Sequence, residues 1–200
     1  MANAIEFPQN LKPEALKLRA VDVVGVNTSV FTGQQEIQVH QGQWWELSLK
    51  FPPLDRSQSQ TLIAFMLKLG GPAGTFRIHD PSACQPMGRA RGKPVVSTVP
   101  SPRQSSLLTS GWSPKVSYQL EAGDYIEING HLYKTLDTVS SDSAGNATLT
   151  LWPRIREAYP SGTTLVIRNP RGTFRMQHSA EWQVDFNHTY AFILNAREAL

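Results

Sequence analysis

Little in this chain of 200 residues invites a chemical reading, and the absences narrow the choices first. Cys84 is the one cysteine, so no intramolecular disulfide can form, which suits a reducing compartment. Long hydrophobic runs are missing. The most apolar stretch, Leu62 to Leu69, carries Lys68 and is too short to span a bilayer. The N-terminal MANAIEFPQN lacks the basic start and apolar core of a secretory signal. Together these features predict a protein made in a cytoplasm and not engaged with membrane. Charge is modest, with 18% charged residues and a net charge of +3. Arg89, Arg91 and Lys93, with Arg103 further on, form the one dense basic stretch. They lie among Pro, Gly and Ser residues, which reads as a solvated loop and not as a nucleic-acid-binding face.

Catalytic signatures are missing too. The chain has no Gly-rich phosphate loop and no GxSxG, HExxH or CxxC motif. His40, His79, His131, His178 and His188 stand at no metal-ligand spacing. His79 and Cys84 have no second pair to complete a zinc site. The reading is therefore no metal and no cofactor. Asp124 and Glu127 fall on opposite faces of a strand and Glu46 stands alone, so an acid–base pair would have to form across the fold, for example with Asp185. Nothing favours such a pair, and the expectation is not an enzyme. Trp44, Trp45, Trp112, Trp152 and Trp182 read mainly as core or interface residues. Trp112 and Trp152 are the candidates for a carbohydrate contact.

What is present is a turn-rich globular composition, 40% hydrophobic with 14 Gly and 14 Pro. Leu16 to Pro53 reads as β-structure with a bend or bulge at Gly25. Ile37 and Val39 alternate with Gln38 and His40, the pattern of a half-buried strand. Trp45, Leu47, Leu49 and Phe51 share one face of the next strand, which Pro52-Pro53 ends. Ser57 and Gln60 form a capping-box pattern. Leu62, Phe65, Met66 and Leu69 then supply one apolar face, and Gly70-Gly71-Pro72 stops the chain, predicting a single helix over 57–69.

The quartet GTFR occurs at Gly74–Arg77 and again at Gly172–Arg175, suggesting two similar strand starts flanking an insertion. Ser82 to Pro114 is rich in Pro, Ser and Gly, and reads as a long extended loop or arm. Arg89, Arg91, Lys93 and Arg103 would be its contacts with a neighbouring subunit. Strands resume from Val116, with Asp124–Ile128 alternating, an Asn129-Gly130 hairpin turn, a return strand over His131–Leu136, another strand at Ala147–Trp152 and a further one at Thr163–Arg168. The predicted organisation is a discontinuous β-domain, residues 1–82 and 170–200, with an arm and an inserted β-module at 83–169.

The order of these motifs carries a resemblance. WWELSLKFPPL precedes a helix with AFMLKLGG. GTFRIHDP, a Pro/Gly-rich stretch, GDYIEINGHLYKTL, SDSAGNATLTLWPRIR and NPRGTFRM follow. This succession, over roughly residues 40 to 176, resembles the distal tail or tail-hub family of long non-contractile-tailed bacteriophages. The resemblance implies a mainly β, tail-tube-like β-sandwich or split barrel with one flanking helix, interrupted by a small inserted β-domain. It also implies a structural virion protein of the tail tip. Such a protein forms a homo-oligomeric ring, usually a hexamer, that joins the tail tube protein to the tail hub and tip or fibre proteins. Genomic DNA would pass through its channel without specific binding, and assembly would take place in the host bacterial cytoplasm. The alternatives are another tail-tube-fold protein, a tube or terminator subunit, or a carbohydrate-binding adsorption module.

Overall fold

The computed structural model describes residues 4–186 and 189–200; His188 lies outside the described residues. The protein is mainly β, with one α-helix among the described residues, as its turn-rich composition and alternating segments indicate. Strands β1 (Ile5–Glu6), β2 (Ala15–Thr28), β3 (Gln35–Lys50), β4 (Phe76–His79), β10 (Arg171–Met176) and β13 (Ile193–Glu198) form a six-stranded sheet in the order β1-β4-β10-β13-β3-β2. Only β1 and β4 run parallel. A second sheet of five strands, ordered β5-β6-β9-β8-β7, is built from β5 (Gly92–Val96), β6 (Ser106–Trp112), β7 (Tyr125–Ile128), β8 (His131–Thr135) and β9 (Ala147–Trp152). The short strands β11 (Gln183–Val184) and β12 (Tyr190–Ala191) form a two-stranded sheet, and Tyr190 of β12 also bridges Leu54.

The two GTFR copies are neighbours. β4 and β10 pair antiparallel with Phe76 opposite Phe174 and His79 opposite Arg171. The chain therefore leaves the six-stranded sheet after His79, builds the five-stranded module and re-enters at Arg171 beside the strand it left.

Helix α1 (Arg56–Leu69) begins one residue earlier than the sequence suggests, and its cap is Asp55, not Ser57. The Asp55 carboxylate accepts the Gln58 backbone N–H at 2.8 Å; an ionised acceptor outcompetes the Ser57 hydroxyl for the positive end of the helix. Gly70 closes the helix in the left-handed region at φ 66°. Leu62, Ile63, Phe65, Met66 and Leu69 bury against Leu47, Leu49, Phe51, Phe76, Phe174 and Leu194 of the six-stranded sheet. The module has its own core around Val96, Leu107, Trp112, Ile126, Ile128, Tyr133, Leu149 and Leu151.

Four expectations need correction. The Ser82 to Pro114 stretch is not an arm: it supplies β5 and β6, because Val96, Leu107 and Trp112 provide enough inward anchors, and Pro94 is tolerated in an edge strand. Thr163–Arg168 is not a ladder strand. Thr164 bridges Val95 of β5 and Val166 bridges Glu127 of β7. These are the two edges of the five-stranded sheet, so the segment closes a curled sheet by switching partners. The irregularity in the first hairpin is not at Gly25, which pairs regularly with Gln38. Two steps along β2 (Asp22 to Val24) match four along β3 (Gln43 to Val39), so the extra residues lie on β3 around Gly42. Finally, Ile37 and Val39 are not half-buried but 61% and 64% exposed.

Candidate assembly interface

The exposure of Ile37 and Val39 follows from how far the first hairpin reaches. β13 covers β3 only from Glu46 to Lys50, so beyond Gln43 the chain continues as a ribbon of β2 and β3 alone. Six residues of β2 past the irregularity carry it roughly 20 Å outward at strand rise. Val24 lies opposite Val39, and Val26 opposite Ile37. Directly paired residues share a face, so these four β-branched side chains form one apolar face, all of them exposed. The other face pairs Gly25 with Gln38 and Asn27 with Glu36. Because the β3 insertion is two residues, parity is kept, and the apolar face has the same parity as Leu16, Leu18, Trp45, Leu47 and Leu49 of the buried sheet face. The alternation read from sequence is real, and no described residue of the chain buries its apolar side.

The ribbon tip adds Val30 and Phe31, the latter 95% exposed. Between Val23 and Gly42 the only acidic or basic side chain apart from His40 is Glu36. Ser29 holds the turn by accepting the backbone N–H of Thr32 and by its carbonyl, which accepts the Gly33 N–H at 2.9 Å. Edge strands are ordinarily protected by charge, proline or cover, and a two-stranded ribbon is marginal in water without a third strand or a packed face. This ribbon has Glu36 as its one carboxylate, no proline, and no described element over its apolar face. Trp182, Val184 and Phe186 of the β11–β12 hairpin form a second exposed apolar group.

The candidate residues from sequence disperse. Arg89, Arg91 and Lys93 are exposed on the module, where the Arg89 N–H is bonded to the Tyr118 carbonyl and the Arg91 N–H to the Gln119 side chain. Arg103 is separate: its backbone bonds Ile155 and its guanidinium donates to Gln41 at the ribbon base at 3.0 Å. Trp112 is no carbohydrate platform. It is 3% exposed in the module core, its indole N–H bonded to Thr109. Trp152 packs edge-on against Trp45 at 4.4 Å between ring centroids, and its N–H reaches Asp22 of β2. It joins the module to the sheet.

The candidate acid–base residues are occupied structurally. Asp124 is buried and accepts the backbone N–H groups of Met87, Gly88 and Glu121. Glu127 is buried and bonds Arg77 and the Arg171 backbone. Among the described residues no three His, Cys, Asp or Glu side chains gather into a metal-binding group, and no helix is long and apolar enough to cross a membrane.

Sequence reasoning missed the ribbon as a site because its alternation is indistinguishable from that of a strand covered by its own chain. The near absence of charge from Val23 to Gly42 was the available signal. No family model matches the chain, and no curated protein matches it.

Proposed function

We propose that this chain is a structural ring subunit at the distal end of a long, non-contractile phage tail, joining the tail tube to the tip hub and fibres. The observation that carries the reading is the β2–β3 ribbon, whose apolar face of Val24, Val26, Ile37 and Val39 is left uncovered by the described residues of its own chain. A closed ring of copies meeting head to tail gives every such ribbon a neighbour to cover it and leaves no free end. The order of the sequence motifs points to the same class of protein, in which the ring is usually six-fold. In this reading the protein acts by shape, without catalysis, and DNA passes through the channel without specific binding.

The test is the mass of the purified protein in solution together with negative-stain imaging. Rings with a central opening support the proposal and give the symmetry. A strict monomer at high concentration that binds glycans would replace it with a stand-alone adsorption module.

A further inference from the structure

The seam between the module and the six-stranded sheet holds an open cavity of about 390 Å³, with Arg103, Arg154, Arg156, Arg197, His131 and Glu157 in its wall. That volume falls within the range of small-molecule sites, ~300–1,000 Å³. With Arg156 paired to Glu198, three guanidinium-bearing residues remain against the one wall carboxylate of Glu157, a local excess of +2 (3 − 1).

The four arginines are not equivalent. Arg156 is committed to Glu198, its Nη2 at 2.7 Å and Nε at 3.2 Å from the two carboxylate oxygens. The other three have no carboxylate within 4 Å among the described residues. They come from three separate places in the chain and are positioned by uncharged groups. Arg103 donates to the Gln41 side chain. Arg197 lies over the Trp44 ring, 3.8 Å from its centroid. Arg154 is placed through its backbone N–H, which donates to the Gln43 side chain at 2.9 Å. Glu46, opposite Arg197 in the strand register, is engaged by Arg19 and the Trp44 indole. His131 also lines the wall; its buried Nδ1 has no hydrogen-bond partner but lies 3.9 Å from Glu198 Oε1, and its Nε2 is 3.6 Å from Glu157 Oε1.

We propose that this cavity binds a phosphate-type oxyanion through Arg103, Arg154 and Arg197. Guanidinium forks suit both carboxylate and phosphate. A planar carboxylate is satisfied by one fork, whereas a tetrahedral anion offers oxygens in several directions and fits donors arriving from three elements. Bringing three like charges to one cavity with a single carboxylate, Glu157, in its wall raises their mutual repulsion, and a bound dianion reverses the sign of that interaction. The inference is independent of the ring reading.

The experiment is calorimetric titration of the full chain with inorganic phosphate in low-salt buffer, with chloride at matched ionic strength as control and thermal melts in parallel. Saturable binding and a raised melting temperature are expected with phosphate and not with chloride or acetate. Arg154→Gln and Arg103→Gln should each weaken binding about tenfold, the scale of one charge-assisted bond, and leave the phosphate-free melting temperature unchanged for Arg154→Gln. Arg89→Gln, outside the cavity, should bind as the parent does. The proposal is overturned by the absence of saturable heat, by equal binding of acetate, or by Arg154→Gln binding phosphate as well as the parent protein.

Discussion

The Trp45 indole on β3 donates its N–H to the Leu132 carbonyl on β8 at 2.9 Å, across the seam between the two sheets. Trp45 is buried and also packs on Trp152 and Tyr125 of the module. Trp45→Phe keeps much of the packing but leaves a buried carbonyl unpaired, at a cost of about 1–3 kcal/mol. Trp45→Ala adds a cavity and should cost about 3–5 kcal/mol. Urea melts of both variants measure the difference. Equal losses for the two would show that the hydrogen bond, and not the packing, holds the seam.

Arg156 and Glu198 form the buried ion pair beneath the same seam, and Glu198 also accepts the Trp45 backbone N–H at 3.1 Å. Glu198→Gln retains acceptor capacity but removes the charge, whereas Glu198→Ala strands a guanidinium that is only 13% exposed. We expect a loss of about 3–5 kcal/mol for Glu198→Ala. A double-mutant cycle with Arg156→Met should show coupling, the pair costing less than the sum of the single changes. Strict additivity would sink the pairing argument.

Tyr133 and Tyr159 share a hydrogen bond of 2.6 Å between their hydroxyls in the module core. Burial pushes the Tyr133 hydroxyl up to about 12, and burial together with its neighbour pushes Tyr159 upward as well. The unfolded chain ionises near pH 10 while the folded protein still holds both protons. The stabilisation is therefore fully present below about pH 10 and is lost as pH rises toward 12. Tyr133 alone accounts for up to about 3 kcal/mol of that loss. Denaturant melts from pH 8 to pH 11.5 should show the decline, and Tyr133→Phe should flatten it while lowering stability at pH 8. A decline just as steep in Tyr133→Phe would remove Tyr133 as its source.

The ribbon is expected to matter for assembly and not for folding. Val26→Asp or Ile37→Asp changes a side chain that touches solvent in the single copy, so monomer stability should shift by no more than about 0.5 kcal/mol. Ring formation, followed by light scattering and negative stain, should fail in both. Intact rings from Ile37→Asp would mean that the apolar face is not the contact between copies.

Local signals were readable in the chain because they depend on neighbours in sequence. Asn129 and Gly130 make the β7–β8 turn with φ of 51° and 82°, the left-handed pair that the dipeptide favours. The apolar spacing of Leu62, Phe65, Met66 and Leu69 built the helix, and Gly70 ended it. Even the pairing of β4 with β10 was hinted at by the repeated GTFR. Where reading by residue type failed, competition among distant groups decided. Asp55 displaced Ser57 as the helix cap, and β5 and β6 drew a proline-rich stretch into a sheet because partners from elsewhere in the chain gave its backbone hydrogen bonds.

What the amino-acid sequence determined by itself was the mainly β character, the single helix, the main turns and the alternation of polar with apolar side chains, all set by short-range sterics and periodicity. What only the tertiary structure decided was which apolar faces find cover. Val39 and Leu49 lie on the same strand with the same parity, yet one is exposed and the other fully buried, because helix α1 packs over Leu49 and no described element packs over Val39. The convergence of Arg103, Arg154 and Arg197 is likewise a tertiary outcome, since each is placed by the element that carries it and none lies near the others in sequence.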